Sequence, residues 1–330
     1  MNIQAGTLNT GNANWNFNWG YTQNCTCTVT AGTGSYTFNN QAFSLAGASV
    51  FVPGTGSFAF NSQPYSQSGT STFDATNVAL LDFNVTFTLS GGTFTAPTCA
   101  SCWTGGNITQ SGGTINGLAS STYIVDIGNW PNTFDAPGVG GSLTFNNLTL
   151  NSGTNYATEG SDTVTVTGTL ALTSGSLSNN GFVAAGGVTH NASFSSSNTI
   201  LTISGAGTRT INLAAGGGLP GFTLNAANVT INGPASGTTT VGGAVTIQAG
   251  TLNTGNANWT FSNGYTQNCT CTVTAGTGSY TFSNQAFSLA GASVFVPGTG
   301  SFAFNSQPYS QSGTSTFDAT NVALLDFNVT

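Results

Sequence analysis

Six cysteines, eight carboxylates and one histidine are the side chains of this 330-residue chain best equipped for redox, metal or acid–base chemistry. The cysteines form close sets: Cys25 with Cys27, Cys99 with Cys102, and Cys269 with Cys271. A CxC combined with a CxxC is in principle a Cys₄ zinc set. Disulfides suit the chain better than zinc or buried free thiols, because the count is even and the acidic, Thr-rich composition has the character of an exported protein. On a strand, Cys25 and Cys27 project to one face, an arrangement fitted to bonding across to a neighbouring coil rather than to each other. Cys99 and Cys102, just past a turn at Gly92, are placed to close on themselves.

The acids are Asp74, Asp82, Asp126, Asp135, Glu159, Asp162, Asp318 and Asp326. Glycosidic chemistry needs two carboxylates converging on one bond. Glu159 and Asp162 are close in sequence but sit in a Gly/Ser/Thr stretch that reads as a solvated turn. Asp74 and Asp82, which recur as Asp318 and Asp326, read as turn residues bonded to local amides. His190 has no partner base or nucleophile in the pattern. Neither an alternating-Asp calcium loop nor a phosphate-cradling loop with its Lys is present. The expectation is a protein without catalysis, metal or cofactor.

With Arg209 as the one cation and a net charge of −7, the chain lacks the basic clusters that neutralise phosphate or anionic lipid. Nucleic acid and membrane surfaces are therefore not expected partners. No apolar run reaches spanning length, and no basic-then-apolar leader follows Met1. Charged residues are 3% of the chain, so Asn, Thr, Ser and Gln must wet its surface. The 23 Phe, 8 Tyr and 5 Trp argue for an ordered core rather than disorder. Exposed aromatics stack on sugar rings, which makes Trp15, Trp19, Tyr21 and Trp103 candidates for glycan contact, although such residues also fill cores. Nine Asn-x-Ser/Thr sequons, at Asn24, Asn84, Asn107, Asn147, Asn191, Asn228, Asn258, Asn268 and Asn328, would permit glycosylation.

Segments that could position these residues alternate apolar side chains with Thr, Ser or Asn, as at 26–30, 49–52 and 163–167, and Gly-rich turns separate them. Glu and Lys, the usual fillers of helix surfaces, amount to Glu159 alone, which leaves an all-β architecture. Residues 3–86 return 244 residues later at 247–330 with four of 84 positions changed: Asn16/Thr260, Asn18/Ser262, Trp19/Asn263 and Asn39/Ser283. One module thus covers 3–246, and 247–330 begins the next. Within the module, a motif of form apolar-x-apolar-x-x-Gly-Thr/Ser-apolar sets glycines at 6, 92, 175 and 250, which divides it into sub-repeats of roughly 3–86, 87–170 and 171–246.

Between this motif and an upstream Asn-apolar-Thr-apolar motif the spacing varies by about one coil, which a β-solenoid absorbs by stacking one more turn. Tandem β-sandwich domains of about 80 residues are the alternative, but they would need long insertions between core strands. Outward threonines such as Thr163, Thr165 and Thr167 invite an ice-binding reading. That reading requires Thr ladders at fixed spacing, which the irregular repeat does not offer.

Runs such as Leu143, Phe145, Leu148, Leu150 and Val164, Val166, Leu170, Leu172, set among Thr, Asn and Gly, resemble the repeat-rich surface proteins of bacteria that include filamentous-haemagglutinin-like adhesins. The resemblance implies a right-handed parallel β-helix and an extracellular or cell-surface location. It leads to the expectation of a structural protein, a segment of a fibre or stalk whose uncapped edges associate end to end or as a continuous array. A glycan-binding adhesin is the second expectation.

Overall fold

A computed structural model describes residues 1–61, 63–128, 131–305 and 308–328. Strand makes up 54% of the structure and helix 1%, and parallel sheets form a β-solenoid of about 15 turns. The sequon at Asn328 runs into residues outside the described set. Two compact units are present, one of Met1–Ser152 with Ala157–Thr165 and one of Gly153–Tyr156 with Val166–Thr330.

In the first unit each coil contributes a strand to three walls. The first wall stacks Tyr21–Asn24, Phe43–Ala46, Tyr65–Gln67 and the start of Phe87–Thr95. The second stacks Thr7–Asn9, Thr28–Thr30, Val50–Val52, Thr72–Asp74 and the end of Phe87–Thr95. The third stacks Trp15–Phe17, Tyr36–Phe38, Ser57–Phe60, Leu80–Phe83 and Trp103–Gly105. Every pairing is parallel, and Tyr21, Phe43, Tyr65 and Phe87 lie in register at intervals of 22 residues. Alternation along each strand sends one residue inward and the next outward, so the inward set forms ladders of like side chains.

Those ladders are largely aromatic. Ring centroids of Tyr21, Phe43, Tyr65 and Phe87 follow one another at 4.9, 5.1 and 5.1 Å. Phe17, Phe38, Phe60 and Phe83 stack at 4.8, 4.9 and 4.8 Å from the opposite wall and meet the first ladder edge to face. Each such pair contributes about 0.5–1.5 kcal/mol beyond the area it buries.

Where one wall turns into the next, glycine sets the geometry. The four motif glycines, Gly6, Gly92, Gly175 and Gly250, all have positive φ, between 78° and 98°. At Gly92 and Gly250 this lets single nine-residue strands, Phe87–Thr95 and Val245–Asn253, run through the corner. Other corners are closed by proximity: a Cβ on Gly56 would run into the carbonyl of Gly34 in the coil beneath.

The second unit is built alike. Thr169–Leu172 pairs with Gly187–His190, the 15-residue strand Gly218–Asn232 pairs with Val245–Asn253, and the repeated segment follows. Strands of the two copies match: Tyr21–Asn24 with Tyr265–Asn268, Thr28–Thr30 with Thr272–Thr274, Tyr36–Phe38 with Tyr280–Phe282, and Phe43–Ala46 with Phe287–Ala290. Burial differs where the stacking differs. Leu8 bonds a coil on one side only and is half-buried, whereas its counterpart Leu252 lies between Ile231 and Val273 and is fully buried.

Candidate functional site

Each set of cysteines closes on itself, as Cys25–Cys27, Cys99–Cys102 and Cys269–Cys271, with Cα–Cα distances of 5.2, 5.7 and 5.2 Å. The local bond at Cys99–Cys102 follows the sequence reading. For Cys25 and Cys27 the structure corrects it, because they occupy the bend between the strands Tyr21–Asn24 and Thr28–Thr30 rather than a strand. A bend turns i and i+2 side chains towards each other, so the partner is in the same coil. Among the described residues no three His, Cys, Asp or Glu side chains converge as a metal set.

Three of the eight carboxylates, Asp74, Asp162 and Asp318, are engaged in corner bonds. Asp74 Oδ1 accepts from the Thr76 amide at 3.1 Å and from the Thr76 hydroxyl, a local turn repeated at Asp318 and Thr320. Those hydroxyl and amide bonds hold the Asp318 carboxyl below its ordinary value. Asp82 departs from the turn expectation. It stands on the strand Leu80–Phe83, accepting from Thr104 Oγ1 at 2.9 Å and Asn84 Nδ2 at 2.7 Å.

Asp162 also departs, because it is buried rather than solvated. Its two oxygens accept the amides of Ala136 and Gly141, both at 2.8 Å. Burial, then Asp162 and Glu159, push the nearby Asp135 carboxyl up, and burial followed by Asp82 does the same for Asp126. His190 is buried with Nε2 at 3.2 Å from the Gly218 carbonyl and no partner for Nδ1, and burial lowers its pKa.

Of the four candidate sugar-stacking aromatics, Tyr21 and Trp103 belong to the core, and Trp15 is half-buried with Nε1 donating to the Thr10 carbonyl at 3.3 Å. Inward alternation on the strands Tyr21–Asn24 and Trp103–Gly105 places the first two there. Trp19 alone lies open, 86% exposed. It stands at the corner where the copies differ. Asn39 Nδ2 donates to Asn16 Oδ1 at 2.8 Å and to Asn18 Oδ1 at 3.3 Å, and the row continues through Asn61 and Asn84 at 2.9 and 3.0 Å. In the second copy, Asn263 replaces Trp19 and donates instead to Asn198 and the Gly242 carbonyl.

Two features escaped the sequence reading. Gln23 and Gln67 are fully buried: each accepts a tyrosine hydroxyl at 2.7 Å and donates to two backbone carbonyls at 2.9–3.1 Å. The Tyr-x-Gln spacing, alternating with Phe43-x-Leu45 and Phe87-x-Leu89, was the available signal. Outward hydroxyls also form ranks, with Thr202, Thr223, Thr246, Thr266, Ser288 and Ser310 in register across six strands. Their sequence intervals vary from 20 to 23 because corners absorb the difference, which hid the ladder from a search for fixed spacing.

A groove of about 540 Å³ beside the 3₁₀ turn Leu118–Ser120 has neither an aromatic nor a titratable side chain in its lining. No helix among the described residues is long and apolar enough to cross a membrane. The chain matches no protein-family model, no curated protein sequence and no solved structure at a significant level.

Proposed function

We propose that the chain is a non-enzymatic structural protein, a segment of an extracellular fibre or cell-surface stalk built from tandem β-coils that associate end to end or as one continuous array. The observation that carries this reading is that the repeated segment builds the same strands twice, each coil bonded to the next by a parallel backbone ladder. A unit that can be added without redesign is what a length-giving protein requires. Three disulfides support an oxidising location. The engagement of Asp74, Asp162 and His190 in backbone bonds supports a structural use of the groups best suited to chemistry.

Immunogold labelling of source cells with antibody to the module tests the proposal. Label along surface filaments is expected, whereas label confined to the cell interior contradicts it. A second reading, a glycan-binding surface module, rests on the exposure of Trp19 beside the asparagine row. A glycan array separates the two, since Trp19-dependent binding would favour the adhesin.

A further inference from the structure

We propose that one wall of the second unit binds the surface of ice. Four successive strands there carry an outward pair two residues apart: Thr210/Asn212, Thr230/Asn232, Thr251/Asn253 and Thr272/Thr274. The first three pairs lie in register at both positions, the fourth joins them through Asn253 and Thr274, and no shift interrupts these segments. Parallel pairing spaces the rows at roughly 4.8 Å, and the pleat spaces the two ranks at about 6.7 Å. The result is a two-dimensional lattice of neutral polar groups, close in both directions to the oxygen repeats of an ice face.

Its chemistry fits crystalline water. A threonine hydroxyl both donates and accepts, as a water molecule in a tetrahedral network does, and its methyl group orders water without competing for bonds. The hydroxyls of Thr210, Thr230, Thr251 and Thr272 have no protein partner among the described residues. The amides beside them are fixed, since Asn253 Nδ2 donates to Asn232 and Asn232 Nδ2 to Asn212, both at 3.1 Å. Rigid groups already at lattice positions lose little freedom on binding.

The one charge on these strands, Arg209 at the start of the strand Arg209–Asn212, is folded back onto the carbonyls of Ser204 and Gly207. No aromatic ring projects from the lattice for a sugar to stack on. The wall of the same unit built from Thr238–Val241, Asn258–Phe261, Tyr280–Phe282, Ser301–Asn305 and Leu324–Asn328 makes a control, because its outward rank Thr240, Thr260, Thr281 gives way to Ala303 and Asp326, and the rank beside it, which starts at Thr238 and Asn258, ends at Ser301 and the exposed Leu324.

Slow freezing of a dilute solution of the fluorescently labelled full chain onto a cold finger reads the proposal directly. The chain is expected to enter the ice and to facet growing crystals. Thr230→Tyr with Thr251→Tyr is expected to reduce incorporation to the background set by an inert protein. Thr230→Ser with Thr251→Ser, which keeps the hydroxyls and the fold, should lower it partially, and Thr260→Tyr with Thr281→Tyr should leave it unchanged. Circular dichroism verifies the fold of each variant. Exclusion of the intact chain from ice, equal loss in the control-wall variant, or retention by a crystalline polysaccharide with none by ice would overturn the proposal. None of these outcomes bears on whether the coils form a fibre.

Discussion

Asn39 donates its side-chain amide to Asn16 Oδ1 at 2.8 Å, and both residues belong to the four positions at which the two 84-residue copies differ. The third and fourth, Asn18 and Trp19, lie at the same corner, with Asn18 accepting from Asn39 as well. The exchanges to Thr260, Ser262, Asn263 and Ser283 therefore fall on one exposed patch and leave every core ladder intact. Asn39→Ser, which imports the second copy's residue, is expected to cost less than about 1 kcal/mol, because the lost bonds are exposed to water. Urea unfolding of the variant checks this, and a larger loss would mean that the amide row holds the corner together.

Interior rings should behave oppositely. Phe60 stacks on Phe38 and Phe83 at 4.9 and 4.8 Å and is fully buried, so Phe60→Ala should destabilise by about 3–5 kcal/mol. Denaturant titration followed by tyrosine fluorescence measures the change. A cost below 1 kcal/mol would contradict the stacked core.

The buried glutamines give a sharper test. Gln67→Leu leaves the Tyr65 hydroxyl and the carbonyls of Ser71 and Thr93 without their partner, at a cost of about 1–3 kcal/mol. Replacing Tyr65 by Phe in the same chain recreates the Phe-x-Leu pair of the coils on either side, and the double variant should be more stable than Gln67→Leu alone. If the second change only adds to the loss, the hydroxyl–amide pair is not a unit.

Acid should weaken the second unit through His190. Burial lowers its folded-state pKa below the ordinary 6.5, so the unfolded chain binds the proton more readily. The stability this contributes is fully present above pH 6.5 and is lost as pH falls below it towards the lowered folded value. His190→Gln is expected to flatten the pH dependence of the melting temperature in that window. An unchanged slope would show that His190 is not the group responsible.

The disulfides are expected to matter little for stability. Each closes a loop of two or three residues, for which the entropy removed from the unfolded chain is small. Thiol titration of the unfolded, unreduced protein should find none of the six cysteines free, and reduction should shift the melting temperature by only a few degrees. Six reactive thiols would contradict both the bonds and the oxidising location.

Strand character was legible because inward Phe, Tyr, Val and Leu alternate so regularly with Thr and Ser. The period of the coil was not. Tyr21, Phe43, Tyr65 and Phe87 are 22 residues apart, but the hydroxyl rank from Thr202 to Ser310 advances by 20 to 23, and only the ladder shows these to be one position. The glycine motif at 6, 92, 175 and 250 was visible, yet its cause is backbone handedness at a corner, which composition does not report. Gln23 and Gln67 were hidden because an amide reads as a surface group until its bonds are known. The pairing of Cys25 with Cys27 is hidden because the alternation of Thr and Cys at 26–28 has strand period, while residues 25–26 form a bend.

Cryo-microscopy or fibre diffraction of the native material tests the central claim most directly. With coils of about 22 residues stacked at roughly 4.8 Å, the 244-residue repeat predicts a filament of constant diameter with an axial period of about 53 Å. Discrete globular particles without that period would contradict it.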